Sequence, residues 1–116
     1  MIRKAEDINI KYIEKNLGGT GITEAHILLN LDEFDNKGRM FNHVVLTPGS
    51  AVGYHTHQNE CETYYFLKGQ GTYDDNGTSV PIYAGDVTIC KSGEGHAIYN
   101  TSNENLEFIA LILFTN

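Results

Sequence analysis

Residues 49–69 read GSAVGYHTHQNECETYYFLKG, and this stretch decides the fold of the chain. His55 and His57 are two residues apart, so on a β-strand both imidazoles point to the same face. Glu62 lies five residues after His57, an odd offset that would place it on the opposite face of an unbroken strand. The polar stretch 58–60 is typical of a turn. We therefore expect a hairpin in which Glu62 opens a second strand and faces the two histidines.

The strand after this turn, residues 62–67, consists mostly of aromatic and β-branched residues that favour sheets. Successive side chains of a strand point to opposite faces. The alternation predicts one face made of Glu62, Tyr64 and Phe66, and another made of Thr63, Tyr65 and Leu67.

A fourth candidate ligand, His96, lies 34 residues after Glu62 and must come from a distant strand of a closed or sandwiched sheet. Neutral imidazole nitrogen and carboxylate oxygen together suit a divalent first-row metal such as manganese, iron, nickel, cobalt or zinc. Four protein ligands on an octahedral ion leave two positions for water, substrate or dioxygen, whereas structural zinc sites are closed and use Cys more often. The predicted metal ligands are His55, His57, Glu62 and His96, and the identity of the metal is left open.

The first segment resembles motif 1 of the cupin superfamily, in which a glycine is followed at set intervals by two histidines, a glutamate and a second glycine. Gly49, His55, His57, Glu62 and Gly69 match every fixed position. Both this register and the strand phase favour Glu62 over the neighbouring Glu60 as the carboxylate ligand.

Residues 85–100 resemble motif 2 of the same superfamily. Gly85, Gly93, His96 and Asn100 match, and Lys91 stands where the motif has proline. Because proline at this position stiffens a turn, the departure affects the turn and leaves the metal ligand in place.

The resemblance implies an all-β fold, a double-stranded β-helix or jelly-roll barrel, and a homodimer. It also implies a small single-domain cupin over residues 1–116. Within it we expect an N-terminal arm, residues 1–20, that takes part in the dimer, and a barrel over residues 39–114. Cupins with this ligand set include dioxygenases, oxalate-degrading enzymes, lyases of small organic acids and sugar-acid isomerases.

The rest of the chain agrees with an all-β fold, since short apolar stretches alternate with turns. Asn76-Gly77 predicts a tight hairpin. One stretch, Ala5–Leu17, is considered for a helix, although its periodicity is poor. The candidate strands are Ile22–Leu31, Arg39–Leu46, Gly53–His57, Glu62–Leu67, Gly71–Asp74, Thr78–Ile82, Asp86–Cys90, Ala97–Asn100 and Leu106–Phe114.

Composition excludes several classes of function. The net charge is −7 and no basic run is present, which argues against nucleic acid as a partner and against an anionic membrane surface. The longest apolar run, residues 108–114, is far shorter than the roughly 20 residues that span a bilayer. No signal peptide is recognised. We therefore expect a cytoplasmic protein with two reduced cysteines, Cys61 and Cys90.

Two residues are candidates for catalysis, and a metal-bound hydroxide is a further candidate for the general base. Tyr64 shares the face of Glu62 and would either bind substrate or simply pack. His43 lies on a strand whose phase is ambiguous, because residues 40, 42, 44 and 46 and residues 41, 43 and 45 make equally plausible interiors. If it points inward, it would serve as a proton shuttle. His26 is interpreted as an ordinary surface histidine, and Cys61 should face away from the metal.

Three classes of function remain open. The first is a metal-dependent enzyme acting on a small carboxylate, sugar acid or enediol by Lewis-acid or dioxygen chemistry. The second is a non-enzymatic module that binds or senses a small molecule. The third is a dimer in which the metal only holds the strands together. Fold does not choose among them.

Overall fold

The computed structural model describes residues 1–115, and its regular structure is almost entirely β. Short 3-10 turns occur at Ala5–Asp7, Asn16–Gly18 and Leu31–Glu33. The strands are β1 (Asn9–Glu14), β2 (Ile22–Ile27), β3 (Gly38–Leu46), β4 (Ala51–Thr56), β5 (Glu60–Lys68), β6 (Gln70–Asp75), β7 (Thr78–Tyr83), β8 (Val87–Cys90), β9 (Gly95–Tyr99) and β10 (Leu106–Phe114).

The strands form two sheets. The six-stranded sheet has the order β1-β2-β3-β10-β5-β8, and the four-stranded sheet has the order β4-β9-β6-β7. Every pairing within them is antiparallel. This is the double-stranded β-helix, or jelly roll, that the sequence predicted.

A single apolar core lies between the two sheets, and the alternating side chains of both sheets fill it. The predicted phase of β5 is confirmed, because Glu62, Tyr64 and Phe66 are buried while Tyr65 and Leu67 are exposed. The core residues are Val44, Leu46, Val52, Tyr64, Phe66, Tyr73, Ile82, Ile98, Leu106, Phe108 and Ala110.

The predicted turn at Asn76-Gly77 is also confirmed. These two residues connect β6 to β7 with φ values of 52° and 96°. Positive φ at both central positions is the geometry that an Asn-Gly hairpin favours.

The helix considered for residues 5–17 is wrong. Residues 9–14 form the strand β1, which pairs along its whole length with β2 at the edge of the larger sheet. The strand contains isoleucine and tyrosine, which favour sheets. It ends where Lys15 and Leu17 take positive φ values of 47° and 52°, a left-handed conformation that no helix continues through.

The hairpin expected between the histidine strand and the Glu62 strand is also wrong. β4 pairs with β9 in the smaller sheet, and β5 pairs with β10 and β8 in the larger one. Residues 57–59 therefore carry the chain from one sheet to the other, and Asn59 turns with a φ of 62°. Glu62 consequently faces the histidines across the sandwich.

β2 is shorter than the expected 22–31. It ends at Ile27, and a 3-10 turn begins at Leu31. Asn30 and Glu33 form a capping box at this turn, a local arrangement that competes with continued strand pairing.

No helix within residues 1–115 is long and apolar enough to cross a membrane.

Candidate metal centre

The four predicted ligands converge. One ligand atom from each of His55, His57, Glu62 and His96 lies within 4.8 Å of the others. Glu62 Oε1 is 3.0 Å from His57 Nε2, 2.9 Å from His96 Nε2 and 3.6 Å from His55 Nε2. His96 Nε2 is 3.2 Å from His57 Nε2 and 3.1 Å from His55 Nε2. The sequence thus identified a cluster that the fold assembles in space.

The smaller sheet supplies the three histidines. His55 on β4 lies directly opposite His96 on β9. The register of β4 against β9 shifts between Val52 and His55. This irregularity places the His55 ring beside the His96 ring. His57 follows the end of β4, where its backbone N–H donates to the carbonyl of Glu94. The larger sheet supplies Glu62 from β5.

The spacing of these atoms fits a six-coordinate ion. Donors about 2.1 Å from a common metal and at right angles to each other are about 3.0 Å apart. Four of the five separations given above are 2.9–3.2 Å. The residues present therefore fit a divalent transition metal held by three nitrogens and one oxygen.

Each histidine is oriented by a hydrogen bond at its other ring nitrogen. With Nε2 free for a metal, His55 Nδ1 donates to the Gly53 carbonyl at 2.7 Å. His57 Nδ1 donates to Glu60 at 2.6 Å, and His96 Nδ1 donates to the Tyr73 hydroxyl at 2.7 Å. Such partners fix the tautomer and the ring orientation of metal-binding histidines.

An ion pair supports the His57 partner in turn. Arg39 donates to both carboxylate oxygens of Glu60 at 2.8 and 2.7 Å. Hydrogen bonding from Arg39 lowers the pKa of Glu60, and the hydrogen bond from His57 lowers it further by a smaller amount. Glu60 therefore stays ionised beside Nδ1 of His57, and it is not one of the four clustered groups.

The electrostatic surroundings of the four clustered groups suit a cation. Burial raises the pKa of Glu62, but hydrogen bonds from His55, His57 and His96 outweigh it and leave the pKa lowered. The hydrogen bond to Glu62 raises the pKa of His57, whereas burial lowers the pKa of His96. A buried carboxylate thus stays negative among imidazoles, an arrangement that a cation would complete.

A cavity of about 260 Å³ adjoins the cluster and lies between the two sheets. Its wall is mostly apolar, since it includes Val44, Phe108 and Ile112. Leu17 and Asn16 from the N-terminal segment also line it, so the arm closes part of its boundary. The cavity is of a size for a small molecule, near the lower end of ligand sites.

The two catalytic candidates lie in different places. Tyr64 lines the cavity, and its ring stacks on His96 with a centroid distance of 5.1 Å. Burial, followed by the charge of Glu62, raises the pKa of Tyr64, so the phenol stays protonated near neutral pH. Its predicted catalytic role stays a prediction, with the phenol as a donor rather than a base.

The structure does not bring His43 to the metal centre. It lies on the outer face of β3, where it bonds to Glu107 at 2.9 Å and packs 5.1 Å from the ring of His26. The strand phase explains this, because Asn42, Val44 and Leu46 take the interior. A pocket role for His43 is therefore wrong, and no described contact connects it with the cavity.

Four residues near the site were not identified from the sequence: Arg39, Asn42, Glu60 as a support, and Tyr73. The three-residue spacing from His57 to Glu60 was visible but had no assigned role. Arg39 and Tyr73 come from other strands, and no local sequence pattern indicates a role for them. Asn42 lines the cavity.

Comparison with known proteins agrees with this architecture. A family model described as a cupin domain matches residues 42–112. A protein of Thermotoga maritima named oxalate-binding protein is 45% identical over 113 residues, which make up 97% of this chain and 93% of that protein.

Solved structures show the same fold. The crystal structure of a predicted oxalate decarboxylase from Thermotoga maritima matches with a TM-score of 0.93 at 45% identity, covering 98% of this chain and 99% of that one. A protein from Klebsiella pneumoniae with a double-stranded β-helix domain matches with a TM-score of 0.69 at 24% identity, covering 79% and 76% of the two chains. The match to the Klebsiella pneumoniae protein shows only that the two chains share a fold. Since the family match spans more than half of the sequence and contains all four clustered ligands, this chain belongs to the cupin family.

Proposed function

We propose that this protein binds a divalent first-row transition metal through His55, His57, Glu62 and His96, and that it holds a small carboxylate, first of all oxalate, in the adjoining cavity. The observation that carries the proposal is the convergence of three Nε2 atoms and one carboxylate oxygen beside a small, mostly apolar hollow. A bound ion supplies Lewis-acid attraction for ligand oxygens.

The charges of the site favour an anion. Arg39 and Glu60 neutralise each other. A divalent ion and the single Glu62 carboxylate then leave one net positive charge in a buried place, where unbalanced charge is costly. A carboxylate ligand offsets that charge, and the name of the Thermotoga maritima relative, oxalate-binding protein, supports the choice of ligand.

Binding without turnover is favoured over catalysis by the residues of the cavity wall. A general base must lie within hydrogen-bond reach of the proton that it removes. Among the described residues His43 is on the outer face, Tyr64 has a raised pKa and Glu60 is held by Arg39 and His57. No free basic side chain of this part of the chain therefore faces the hollow, so a general base would have to be a hydroxide held by a bound metal.

A second candidate is a metal-dependent enzyme such as a decarboxylase, dioxygenase, lyase or isomerase. The ligand set favours it, because four protein donors on an octahedral ion keep two positions open. A relative of known structure described as a predicted oxalate decarboxylase points the same way.

Titration calorimetry with oxalate tests the proposal on three samples: metal-stripped protein, manganese-loaded protein and cobalt-loaded protein. We expect oxalate to bind the loaded samples only. Protein that takes up none of manganese, iron, nickel, cobalt or zinc would overturn the metal assignment. Release of formate or carbon dioxide from oxalate by the loaded samples would instead establish the second candidate.

A further inference from the structure

Asn42 occupies an unusual position in the floor of the cavity. On the larger sheet Asn42, Ala110 and Tyr64 lie side by side on β3, β10 and β5. The next set of neighbouring residues across the same three strands, on the side of the metal centre, is Met40, Ile112 and Glu62. Since Ala110 is small, it leaves a hollow above the sheet that Asn42 borders on one side and Tyr64 on the other.

The Asn42 side chain faces the cavity and has no hydrogen-bond partner in the described part of the chain. Only 8% of the residue is exposed, and it lines the cavity. Its side chain makes no hydrogen bond within residues 1–115. Asn100, the other buried asparagine, shows the usual behaviour: its amide donates to the carbonyls of Leu46 and Glu104, and its oxygen accepts from Ser102.

Native structures usually pair the polar groups of largely buried side chains, so an asparagine that faces a cavity without a protein partner requires an explanation. An apolar residue of similar size would fill the position at lower cost, as Val44 does two residues further along β3. The amide therefore faces a ligand-sized hollow with its hydrogen-bonding capacity unused.

The distance between Asn42 and the metal centre suits a ligand with two polar ends. Asn42 lies two strands and one row away from Glu62, which corresponds to about 12 Å between Cα atoms at normal strand spacing. A metal–oxygen bond of about 2.1 Å, a ligand of two to three carbons and a hydrogen bond of about 2.9 Å together cover most of such a span. A ligand anchored by one carboxylate at the metal centre would thus present its other end to Asn42.

We propose that Asn42 is a specificity residue whose amide hydrogen-bonds the distal oxygen of a small dicarboxylate anchored at the metal centre. This inference rests on the proposed function. An amide both donates and accepts, so it can bind a distal carboxylate or its protonated form. A monocarboxylate of the length of acetate lacks that distal oxygen and gains nothing from Asn42.

The test uses manganese-loaded protein and compares the affinities for oxalate, malonate and acetate by calorimetry. The variant is Asn42→Leu, with Asn42→Ala in case the larger side chain disturbs folding. We expect the wild type to bind at least one dicarboxylate more tightly than acetate. We expect the variant to lose about tenfold or more of that affinity and to keep its affinity for acetate and for manganese.

A matched control and an independent readout separate this role from a general effect of altering the cavity. Thr23 also lines the cavity and its hydroxyl has no partner in the described chain, but it lies opposite Leu46, four residues further from the metal along β3. Thr23→Val should therefore leave the dicarboxylate affinity unchanged. In thermal melts, malonate should raise the melting temperature of the manganese-loaded wild type more than that of Asn42→Leu, whereas acetate should affect both proteins equally.

The outcomes distinguish the two proposals. If the Leu and Ala variants keep the dicarboxylate preference of the wild type, the role of Asn42 is overturned and the proposed function stands. If the manganese-loaded wild type binds none of the three acids, the proposed function fails and this inference fails with it.

Discussion

At the scale of single residues, two of the Glu–His pairs have similar separations in contrasting surroundings. Glu62 lies 3.0 Å from His57 inside the sandwich, and Glu107 lies 2.9 Å from His43 on its outer face. Only the first pair belongs to a convergent cluster with two further imidazoles. A Glu–His contact therefore does not make a metal centre until other donors share the same point in space.

This contrast gives a matched pair of variants. Glu62→Gln removes the anionic ligand, and we expect the affinity for cobalt or manganese to fall by at least about a hundredfold, the upper range found when even supporting groups of a metal site are altered. Glu107→Gln makes the same chemical change at the outer pair and should leave metal affinity unchanged. Competition with a chromophoric chelator measures both. Equal losses in the two variants would contradict the assignment of Glu62.

The pKa of His57 predicts how metal binding depends on pH. The hydrogen bond to Glu62 raises this pKa above the usual value of an imidazole. In the metal-free protein the protonated pair therefore contributes stability below that usual value and loses it as pH rises through the raised pKa. A metal needs the neutral ring, so its binding displaces the proton and is weakened as pH falls through the same range.

The gain in melting temperature on adding cobalt should therefore grow with pH between about pH 5.5 and 8. Thermal melts with and without the ion measure it. Calorimetry in two buffers of different ionisation enthalpy should also detect proton release near the raised pKa. A gain that stays constant or shrinks with rising pH would contradict the competition between proton and metal.

At the scale of elements, the backbone of the segment after β1 packs directly against the backbone of β4. A Cβ added to Gly53 would lie 2.1 Å from the carbonyl oxygen of Leu17 and 2.8 Å from the backbone nitrogen of Gly19. The carbonyl of Gly53 also orients His55. This glycine therefore connects the N-terminal segment, the cavity boundary and one metal ligand.

We expect Gly53→Ala to destabilise the fold by about 3 kcal/mol, because backbone atoms on both sides cannot move away freely. Gly49→Ala is the control. Gly49 has a φ of 81° and open space around its missing Cβ, so the cost there is only the left-handed strain of about 1 kcal/mol. Urea denaturation measures both free energies of unfolding. A smaller loss at Gly53 than at Gly49 would contradict the close packing.

At the scale of the whole molecule, the arm and the jelly roll form one cavity. β1 is at the edge of the larger sheet, with one side unpaired by any strand within residues 1–115. All six of its residues are exposed, and Tyr12 is 65% exposed. An exposed edge strand of this composition favours pairing with another chain.

The homodimer implied by the cupin resemblance stays a prediction, and β1 is the part of the molecule that we expect to contribute. Light scattering should give twice the chain mass of 12.9 kDa. Tyr12→Lys and Ile10→Lys together should shift the protein toward the monomer, because edge lysines oppose strand pairing. Lysines at Tyr83 and Val80 on β7, the edge of the smaller sheet, serve as the control. A wild-type monomer would contradict this prediction.

The limits of sequence-based reasoning are visible in particular residues. Residue spacing indicated all four clustered residues, because a period of two places His55 and His57 on one face of a strand, and Glu62 and His96 stand at the intervals of the cupin motifs. The hairpin between β4 and β5 was wrong because local turn residues do not say which sheet the next strand joins. The strand β1 was missed because an exposed edge strand lacks the clear alternation of a half-buried one.

The all-β fold, the family and the candidate metal ligands could be read from the sequence, because these depend on local periodicity and on residues at set intervals. Only the tertiary structure decided that Glu62 faces the histidines from the opposite sheet, that His43 points outward and Asn42 inward, and that Glu60 and Tyr73 orient the imidazoles. Both faces of β3 were plausible interiors from the order of residues alone. The choice between them depends on which face packs against the second sheet, and contacts between distant segments decide that packing.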